Sequence, residues 1–275
     1  MKLDANGVSY HVEIINADKQ ETIVFLHGFT GSTKSWQPVI EEWGDSKIVL
    51  IDLIGHGETD CPETVECYTM ERQLEDLDAL FGQLDLDRLT LVGYSMGGRT
   101  ALAYACSFTE RIKALVLESA SPGLWSDVER QERRTRDEGL AEQIVAGGIA
   151  NFVDRWENIP LFDSQKSLLE PVKQAVREER LAQNPIGLAN SLKGMGTGAQ
   201  DSYWEQLKDL GMPVLLVTGQ LDGKFQAIAK EMVKLMPKAV HKTIESGHAI
   251  HVEKPAEFAT IVREYLSLNY RGGKS

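Results

Sequence analysis

A chain of 275 residues with a formal net charge of −12 is long enough to bury a full α/β core. Its acidity argues against a nucleic-acid partner, because binding to a phosphate backbone needs a basic surface. No apolar run approaches the roughly 18 residues of a membrane span, and the N-terminus lacks the apolar segment of a signal peptide, so we predict a cytoplasmic protein. Cys61, Cys67 and Cys106 lack metal-ligand spacing, so we predict free thiols and no metal site.

The first half of the chain alternates predicted strands and helices. Apolar and polar residues alternate over 3–15 around Asn6-Gly7, which predicts a β-hairpin at a sheet edge. Continuous apolar runs are typical of strands buried on both faces of a parallel sheet. Such runs, together with one stretch of helical spacing, predict strands at 22–26, 47–52, 89–92 and 111–118 and a helix over 70–84.

Residues 125–205 have a different character, with many charges and few strand-like runs. We predict helices there at 127–146, 148–157, 165–182 and 186–194. The strand pattern then returns, with strands at 213–219 and 239–244, helices at 224–236 and 255–268, and a frayed tail at 271–275. The sequence therefore predicts an α/β fold with a mostly parallel sheet flanked by helices, whose core is 1–124 and 206–275 and whose inserted helical cap is 125–205.

Ser95 lies between a predicted strand and a predicted helix, with Gly93 and Gly97 on either side. This G-x-S-x-G pattern is typical of a sharp turn that exposes a nucleophilic serine, because the crowded backbone needs neighbours without side chains. A glycine-rich strand-to-helix turn without catalytic function has the same pattern. The free amides at the start of the following helix would suit a developing oxyanion.

Asp222 and His248 also follow predicted strands. The order Ser95, Asp222, His248 is the nucleophile, acid and base order of α/β-hydrolases, so we predict a catalytic triad. Two alternatives remain for the acid: Asp222 can cap the helix that follows it, and Glu118, which ends another strand, can supply the carboxylate. We expect His251 to be packed or solvated.

An oxyanion hole needs two backbone donors. We predict the amides of Met96, directly after the serine, and of Phe29, in the His-Gly-Phe turn that ends the strand at 22–26. A histidine inside such a turn usually bonds to backbone atoms, and we expect this of His27, with direct chemistry as the alternative. We also expect His56, in the loop after the strand at 47–52, to have a structural role.

Several stretches resemble one branch of the α/β-hydrolase fold, the menaquinone-pathway synthases of the MenH family. They are LHGFTGS (26–32), GHGETD (55–60), GYSMGGR (93–99), LESASPGL (117–124), WENIPLF (156–162), GLANSLKGMGTGAQ (187–200), DGKF (222–225) and SGHAIHVEKP (246–255). The resemblance implies a lyase that eliminates pyruvate from 2-succinyl-5-enolpyruvyl-6-hydroxy-3-cyclohexene-1-carboxylate. It implies no metal or organic cofactor, and a small polycarboxylate as the substrate.

Arginines make this chemistry reasonable, because a plain esterase has little need of a guanidinium beside its serine. Arg99 lies one helical turn after Ser95 and can lean towards it. The resemblance adds Arg133 as a second carboxylate-binding residue and Arg180 as a third, with Arg177 as the alternative to Arg180. It also implies substrate contacts for Tyr94, Trp156 and Phe162, which composition alone would equally assign to packing.

Two other functions use the same residues. A carboxylic-ester or carbon–carbon bond hydrolase would form an acyl-enzyme on Ser95. A sensor would use the pocket only to bind its ligand. An intact Ser, Asp and His set argues against the sensor.

Overall fold

The computed structural model describes residues 1–41 and 43–271, and its centre is an eight-stranded sheet of order β1-β2-β4-β3-β5-β6-β7-β8. The strands are β1 Lys2–Ala5, β2 Val8–Ile15, β3 Thr22–Leu26, β4 Lys47–Ile51, β5 Leu89–Tyr94, β6 Ile112–Glu118, β7 Val214–Gly219 and β8 Ala239–Ile244. Strand β2 pairs antiparallel with β1 and β4, and the remaining pairs are parallel. The predicted edge hairpin and the predicted strands are confirmed, with shifts of one or two residues at their ends.

Helices cover both faces of this sheet, as the alternating pattern predicts. Their bounds are α1 Gln37–Ile40, α2 Met70–Gln83, α3 Met96–Ser107, α4 Asp127–Trp156, α5 Glu170–Leu181, α6 Pro185–Met195, α7 Gly223–Leu235, α8 Ile250–Glu253 and α9 Pro255–Arg271. One apolar cluster joins the sheet to α2, α3 and α7, and a second joins it to α1, α8 and α9. Apart from Arg271, the predicted frayed tail lies outside the described residues.

Helices α4, α5 and α6 form an insertion between β6 and β7 and share a small apolar cluster of their own. The predicted break near residue 147 appears as a kink in α4 at Gly148, whose φ of +75° is accessible to glycine. The predicted helix over 165–182 is wrong at its start, because a 3-10 helix, Pro160–Ser167, precedes α5. Proline is tolerated in the first turn of a helix, so Pro171 places the beginning of α5 near residue 170.

The chain enters the insertion after β6 and leaves it before β7, and the two connecting segments contact each other. Trp204 Nε1 donates to Gly123 O at 3.0 Å, and the Trp204 ring stacks on Trp125 with centroids 4.6 Å apart. The insertion is thus anchored above the carboxyl ends of β5 to β8, where ligands bind in parallel α/β sheets. Within the described residues, no helix is long and apolar enough to cross a membrane.

Candidate active site

Ser95 occupies a strained turn between β5 and α3. Its φ of 50° and ψ of −104° lie outside the favoured regions for a residue with a side chain. A Cβ on Gly97 would overlap the carbonyl oxygens of Leu26 and His27, and a Cβ on Gly93 would overlap Gly97. The two glycines therefore let the turn close tightly against β3, which leaves the Ser95 side chain at the end of the sheet.

Ser95, His248 and Asp222 form one hydrogen-bonded chain. Ser95 Oγ lies 3.1 Å from His248 Nε2, and His248 Nδ1 lies 2.6 Å from Asp222 Oδ2. Both His248 and Asp222 are buried, so their hydrogen bond is shielded from water. Asp222 Oδ1 also accepts from Phe225 N at 3.3 Å, so the same carboxylate caps α7 and orients the imidazole. This geometry suits removal of a proton through the serine hydroxyl.

Glu118, the alternative acid, contacts a different histidine. Its Oε1 lies 2.9 Å from His251 Nδ1. The His251 ring packs between Trp36 and Tyr94, with centroid distances of 4.6 Å and 4.4 Å. The structure therefore brings Asp222, and not Glu118, to His248.

A cavity of about 240 Å³ opens above Ser95 between the sheet and the insertion. Nine of its lining residues are predicted site residues: Phe29, Tyr94, Ser95, Met96, Arg99, Arg133, Trp156, Phe162 and His248. Phe29 and Met96 thus lie on the same cavity as the serine, as a pair of oxyanion donors must. Leucines and Phe225 line much of the remaining wall.

His27 is fully buried and both ring nitrogens bond to backbone. Its Nδ1 donates to Gly28 O at 2.8 Å, while Nε2 accepts from Leu53 N at 3.0 Å, so the ring is neutral. Burial lowers the pKa of His27 to about 4. Its contacts hold the loop that carries Phe29. His56 donates from Nδ1 to Ile54 O at 3.0 Å, and burial, with a contribution from His27, lowers its pKa to about 3.

Arg99 is a buried cation that faces the cavity from α3. Its guanidinium donates to Met195 O at 2.9 Å and to Gln200 Oε1, both from the segment that ends the insertion. Burial and the neighbouring Arg133 lower the pKa of Arg99 to about 10, which leaves it charged at neutral pH. These neutral partners leave its positive charge available to an anion.

Arg133 and Lys224 add two further cations to the cavity lining. Arg133 Nε bonds to Asp137 Oδ1 at 2.8 Å, one helical turn further along α4. Burial and the neighbouring Arg133 lower the pKa of Lys224. Lys224 was not among the predicted site residues, although it lies two residues after Asp222 in the DGKF stretch.

Three aromatic residues named from the resemblance lie around the triad. Tyr94 and Phe162 lie 5.3 Å and 6.5 Å from the His248 ring, measured between centroids. Trp156 packs edge-on against Phe29 at 5.5 Å. The buried Trp156 Nε1 has no hydrogen-bond partner among the described residues. An indole N–H on a cavity wall can serve a ligand acceptor.

Arg180 is buried but lies in a neighbouring cavity of about 290 Å³, and it is absent from the lining of the cavity above Ser95. Phe162 lines both cavities, and the Arg180 guanidinium lies over its ring, 4.6 Å from the centroid. Its hydrogen bond goes to Gln165 Oε1 at 3.3 Å. Arg177, the alternative, is engaged by Asp154 and Glu157, each at 2.5 Å.

The described residues contain no group of three or more His, Cys, Asp or Glu side chains that could hold a metal ion. The three cysteines are unpaired thiols, all partly buried. The polar chemistry of the cavity is thus a serine, an imidazole held by a carboxylate, and several cations.

Comparisons with known proteins agree with this architecture. A family model for the alpha/beta hydrolase fold matches residues 21–255. A Bacillus subtilis (strain 168) protein, which bears the name 2-succinyl-6-hydroxy-2,4-cyclohexadiene-1-carboxylate synthase provisionally, is 47% identical over 264 residues that cover 96% of each chain. The synthase of that name from Salmonella paratyphi C (strain RKS4594) is 32% identical over 90% of this chain and 94% of its own. The structure of MenH from S. aureus matches with a TM-score of 0.90 and 36% identity, over 95% of this chain and 98% of that chain.

Proposed function

Because the chain belongs to the α/β-hydrolase-fold family and, within it, to the 2-succinyl-6-hydroxy-2,4-cyclohexadiene-1-carboxylate synthases (MenH), we propose that it is the pyruvate-eliminating lyase of menaquinone biosynthesis. Its substrate would be 2-succinyl-5-enolpyruvyl-6-hydroxy-3-cyclohexene-1-carboxylate, and Ser95, His248 and Asp222 would carry the reaction. The observation that carries this proposal is the triad geometry beside two cavity-lining arginines: Ser95 Oγ lies 3.1 Å from His248 Nε2, and Arg99 and Arg133 share its cavity.

The ring proton that must leave is acidic for a chemical reason. It lies on the carbon that bears the succinyl group, next to a ketone carbonyl, so its removal gives an enolate. Ser95 Oγ takes this proton while His248 takes the serine's own, and Asp222 stabilises the resulting imidazolium. The amides of Phe29 and Met96 stabilise the enolate oxygen.

Elimination follows by movement of the ring electrons. The enolate reforms its carbonyl, the ring double bond shifts to give the conjugated diene, and the bond to the enolpyruvyl oxygen breaks. His248 gives the proton that it took from Ser95 to the leaving enolpyruvate, which becomes pyruvate, while the ring proton stays on Ser95 Oγ and restores its hydroxyl. No water and no acyl-enzyme enter, so the atoms of substrate and products balance.

The cations account for the choice of substrate. The molecule carries three carboxylates, on the ring, the succinyl group and the enolpyruvyl group, and buried arginines bind such groups strongly. Arg99 and Arg133 line the cavity directly, and we propose that Arg180 contributes from the adjoining cavity behind Phe162. Tyr94, Trp156 and Phe162 would then form the apolar walls that position the ring.

We also propose that residues 125–205 are a cap over a core of 1–124 and 206–275, and that the reaction takes place in the cytoplasm. The local net charge of the cavity supports an anionic substrate despite the acidic chain. Arg99, Arg133 and Lys224 line it, whereas the two neighbouring carboxylates, Asp137 and Asp222, lie outside the lining and are bonded to Arg133 and His248. A small polycarboxylate is therefore the expected partner of this site.

Pyruvate release tests the proposal. The purified protein is supplied with the enolpyruvyl substrate, and pyruvate is followed in parallel with the Ser95→Ala variant. Release far above the spontaneous rate by the wild type alone is expected. A folded wild type that releases pyruvate no faster than buffer would exclude the synthase function.

An ester or carbon–carbon bond hydrolase on a small acidic substrate is the second candidate. It is favoured by the distance between Ser95 Oγ and His248 Nε2, which also suits nucleophilic attack. A panel of small esters, with mass spectrometry of Ser95 for a trapped acyl group, distinguishes the two functions. Ester turnover faster than pyruvate release would favour this second function.

A further inference from the structure

The loop that carries His248 is held on both sides by carboxylates outside the Ser95, His248 and Asp222 chain. Before it, Gly247 N donates to Glu253 Oε2 at 2.8 Å. After it, the amides of Ile250 and His251 donate to Glu118 Oε1 at 2.6 Å and 3.1 Å. These bonds fix the backbone from which the imidazole projects.

Glu118 supplies a helix cap that the local sequence lacks. The residue before α8 is Ala249, which has no side-chain acceptor, and α8 makes no side-chain cap bond of its own. The first amides of a helix have no acceptor within the helix and need one from elsewhere. Glu118 provides this from a position 132 residues earlier than Ile250, at the buried end of β6.

The same residue also holds the nucleophile. Ser95 N donates to the Glu118 carbonyl oxygen at 2.9 Å. Glu118 therefore fixes Ser95 through its main chain and the His248 loop through its side chain. The distance between Ser95 Oγ and His248 Nε2 depends on both attachments.

Glu253 provides the corresponding attachment on the cap side. Its Oε1 accepts from Ser164 Oγ at 2.8 Å, in the 3-10 helix that also carries Phe162. A Cβ on Gly247 would overlap Ser164, so this helix and the His248 loop are in direct contact. Glu253 thus joins the insertion to the backbone next to the base.

We infer that Glu118 and Glu253 are positioning residues that together hold His248 in register with Ser95, Glu118 from the core and Glu253 from the cap. Neither residue lines the cavity above Ser95. Their loss should therefore lower kcat and leave KM unchanged. For the synthase reaction this inference rests on the proposed function, but for the reactivity of Ser95 it does not.

Removal of the Glu118 side chain should have the larger effect. In Glu118→Ala the two amides lose their acceptor, and a misplacement of about 1 Å at a reacting group costs on the order of 10²-fold in rate. Glu118→Gln keeps an oxygen that can accept both amides, so it should restore most of the rate. Glu253→Ala frees one amide and should lose about tenfold, again with rescue by glutamine.

The test uses a small fluorophosphonate as well as the enolpyruvyl substrate. Ser95 Oγ attacks phosphorus, fluoride leaves, and the serine proton passes to His248, so the phosphonylation rate reports the Ser95–His248 pair without the synthase reaction. A downfield proton resonance from the hydrogen bond of His248 to Asp222 needs no reagent at all. Asp76→Ala is the matched control, because Asp76 is a buried carboxylate in α2 that accepts from Tyr10 and Asn6 and does not line the cavity.

The expected result is slow phosphonylation and a shifted or absent resonance in Glu118→Ala, recovery in Glu118→Gln, and wild-type behaviour in Asp76→Ala even if it is less stable. A folded Glu118→Ala protein with wild-type phosphonylation, kcat and resonance would overturn the inference. Equal losses in Glu118→Ala and Asp76→Ala would overturn it too, because general destabilisation would then explain both. A wild type that reacts with the fluorophosphonate but releases no pyruvate defeats only the synthase function, and the variants are then compared by phosphonylation and the resonance.

Discussion

Core and insertion supply different kinds of group to one cavity. In the core, Ser95, His248 and Asp222 satisfy one another through bonds of 3.1 Å and 2.6 Å. In the insertion, Trp156 Nε1 has no partner among the described residues, and Arg133 bonds within its own helix. The core groups are arranged for proton transfer before any ligand arrives, whereas the groups of the insertion are arranged to meet one.

Arg99 joins the two regions. It belongs to α3 of the core, yet its guanidinium is bound by Met195 and Gln200 at the end of the insertion. Its charge thus reaches the cavity from the core while its orientation depends on the insertion. Substitution of a core group should therefore abolish the reaction, and substitution of a group in the insertion should weaken substrate binding. Substitution of Arg99 should do both.

The largest effect is expected from Ser95→Ala. Loss of the group that removes the ring proton should lower kcat for pyruvate release by about 10³-fold or more, the range of general base catalysis. KM and thermal stability should stay near wild type, because the Ser95 hydroxyl bonds only to His248 among the described residues. Steady-state kinetics give kcat and KM, and thermal unfolding gives the stability. A large change in KM would contradict a purely chemical role for Ser95.

Arg99→Ala should lower kcat/KM for pyruvate release by about 10²- to 10³-fold, since it removes a buried charge that pairs with a substrate carboxylate. Hydrolysis of a neutral ester, if the protein shows any, should change little. The ratio of the two rates is the measurement.

The matched variant is Arg99→Lys, which keeps the charge and loses the bidentate geometry. It should fall between Arg99→Ala and the wild type on the enolpyruvyl substrate. Equal losses on the substrate and on neutral esters in Arg99→Ala would show that Arg99 supports the fold of the site and not the recognition of a carboxylate.

Two buried histidines of the core, His27 and His56, should make the folded protein less stable in acid. The insertion cannot contribute to this effect, because residues 125–205 contain no histidine. The folded pKa values of His27 and His56, about 4 and about 3, lie below the ordinary 6.5. The unfolded chain therefore binds more protons below pH 6.5, so stability is complete above that pH and falls as the pH drops towards 4. The loss at about pH 5 is about 2 kcal/mol for each histidine.

Urea unfolding at about pH 7.5 and about pH 5 measures this loss, with His56→Gln as the comparison. The variant is less stable at the higher pH, but it should lose about 2 kcal/mol less than the wild type between the two. An equal loss in both proteins would mean that His56 is not held neutral in the folded state.

The smallest effect is expected from Arg133→Ala in the insertion. Its side chain is partly exposed and already paired with Asp137, so its loss should raise KM by about tenfold with little change in kcat. Arg136→Ala, on the solvent side of the same helix with an exposed partner in Glu132, is the control and should behave as wild type. A similar KM for both variants would show that Arg133 does not bind the substrate.

The core was predictable because its signals are local. Apolar runs mark buried strands, and Gly93 and Gly97 mark the turn at Ser95, so the ends of the strands and the order of the triad could be read from the sequence. Capping of α7 and contact with His248 were alternatives for Asp222 in the sequence, and the structure has both contacts, since one oxygen caps α7 and the other holds His248. Pro171 was a missed local signal for the start of α5.

The insertion was less predictable because its arrangement depends on contacts that are distant in sequence. Helical spacing places Arg133 on one face of α4 but does not indicate which cavity Arg180 will line. Similarly, nothing near Ala249 indicates that Glu118 will cap α8. Such contacts follow from how the elements pack together, and a pattern within one element does not contain them.

In the proposed reaction Ser95 removes a proton from a ring carbon and does not attack an acyl group. A single-turnover reaction with substrate deuterated at the carbon that bears the succinyl group tests it most directly, with pyruvate release and the mass of Ser95 followed together. We expect a primary deuterium isotope effect on pyruvate release and no covalent adduct on Ser95. Release at the same rate from both isotopologues, with an acyl group trapped on Ser95, would contradict it.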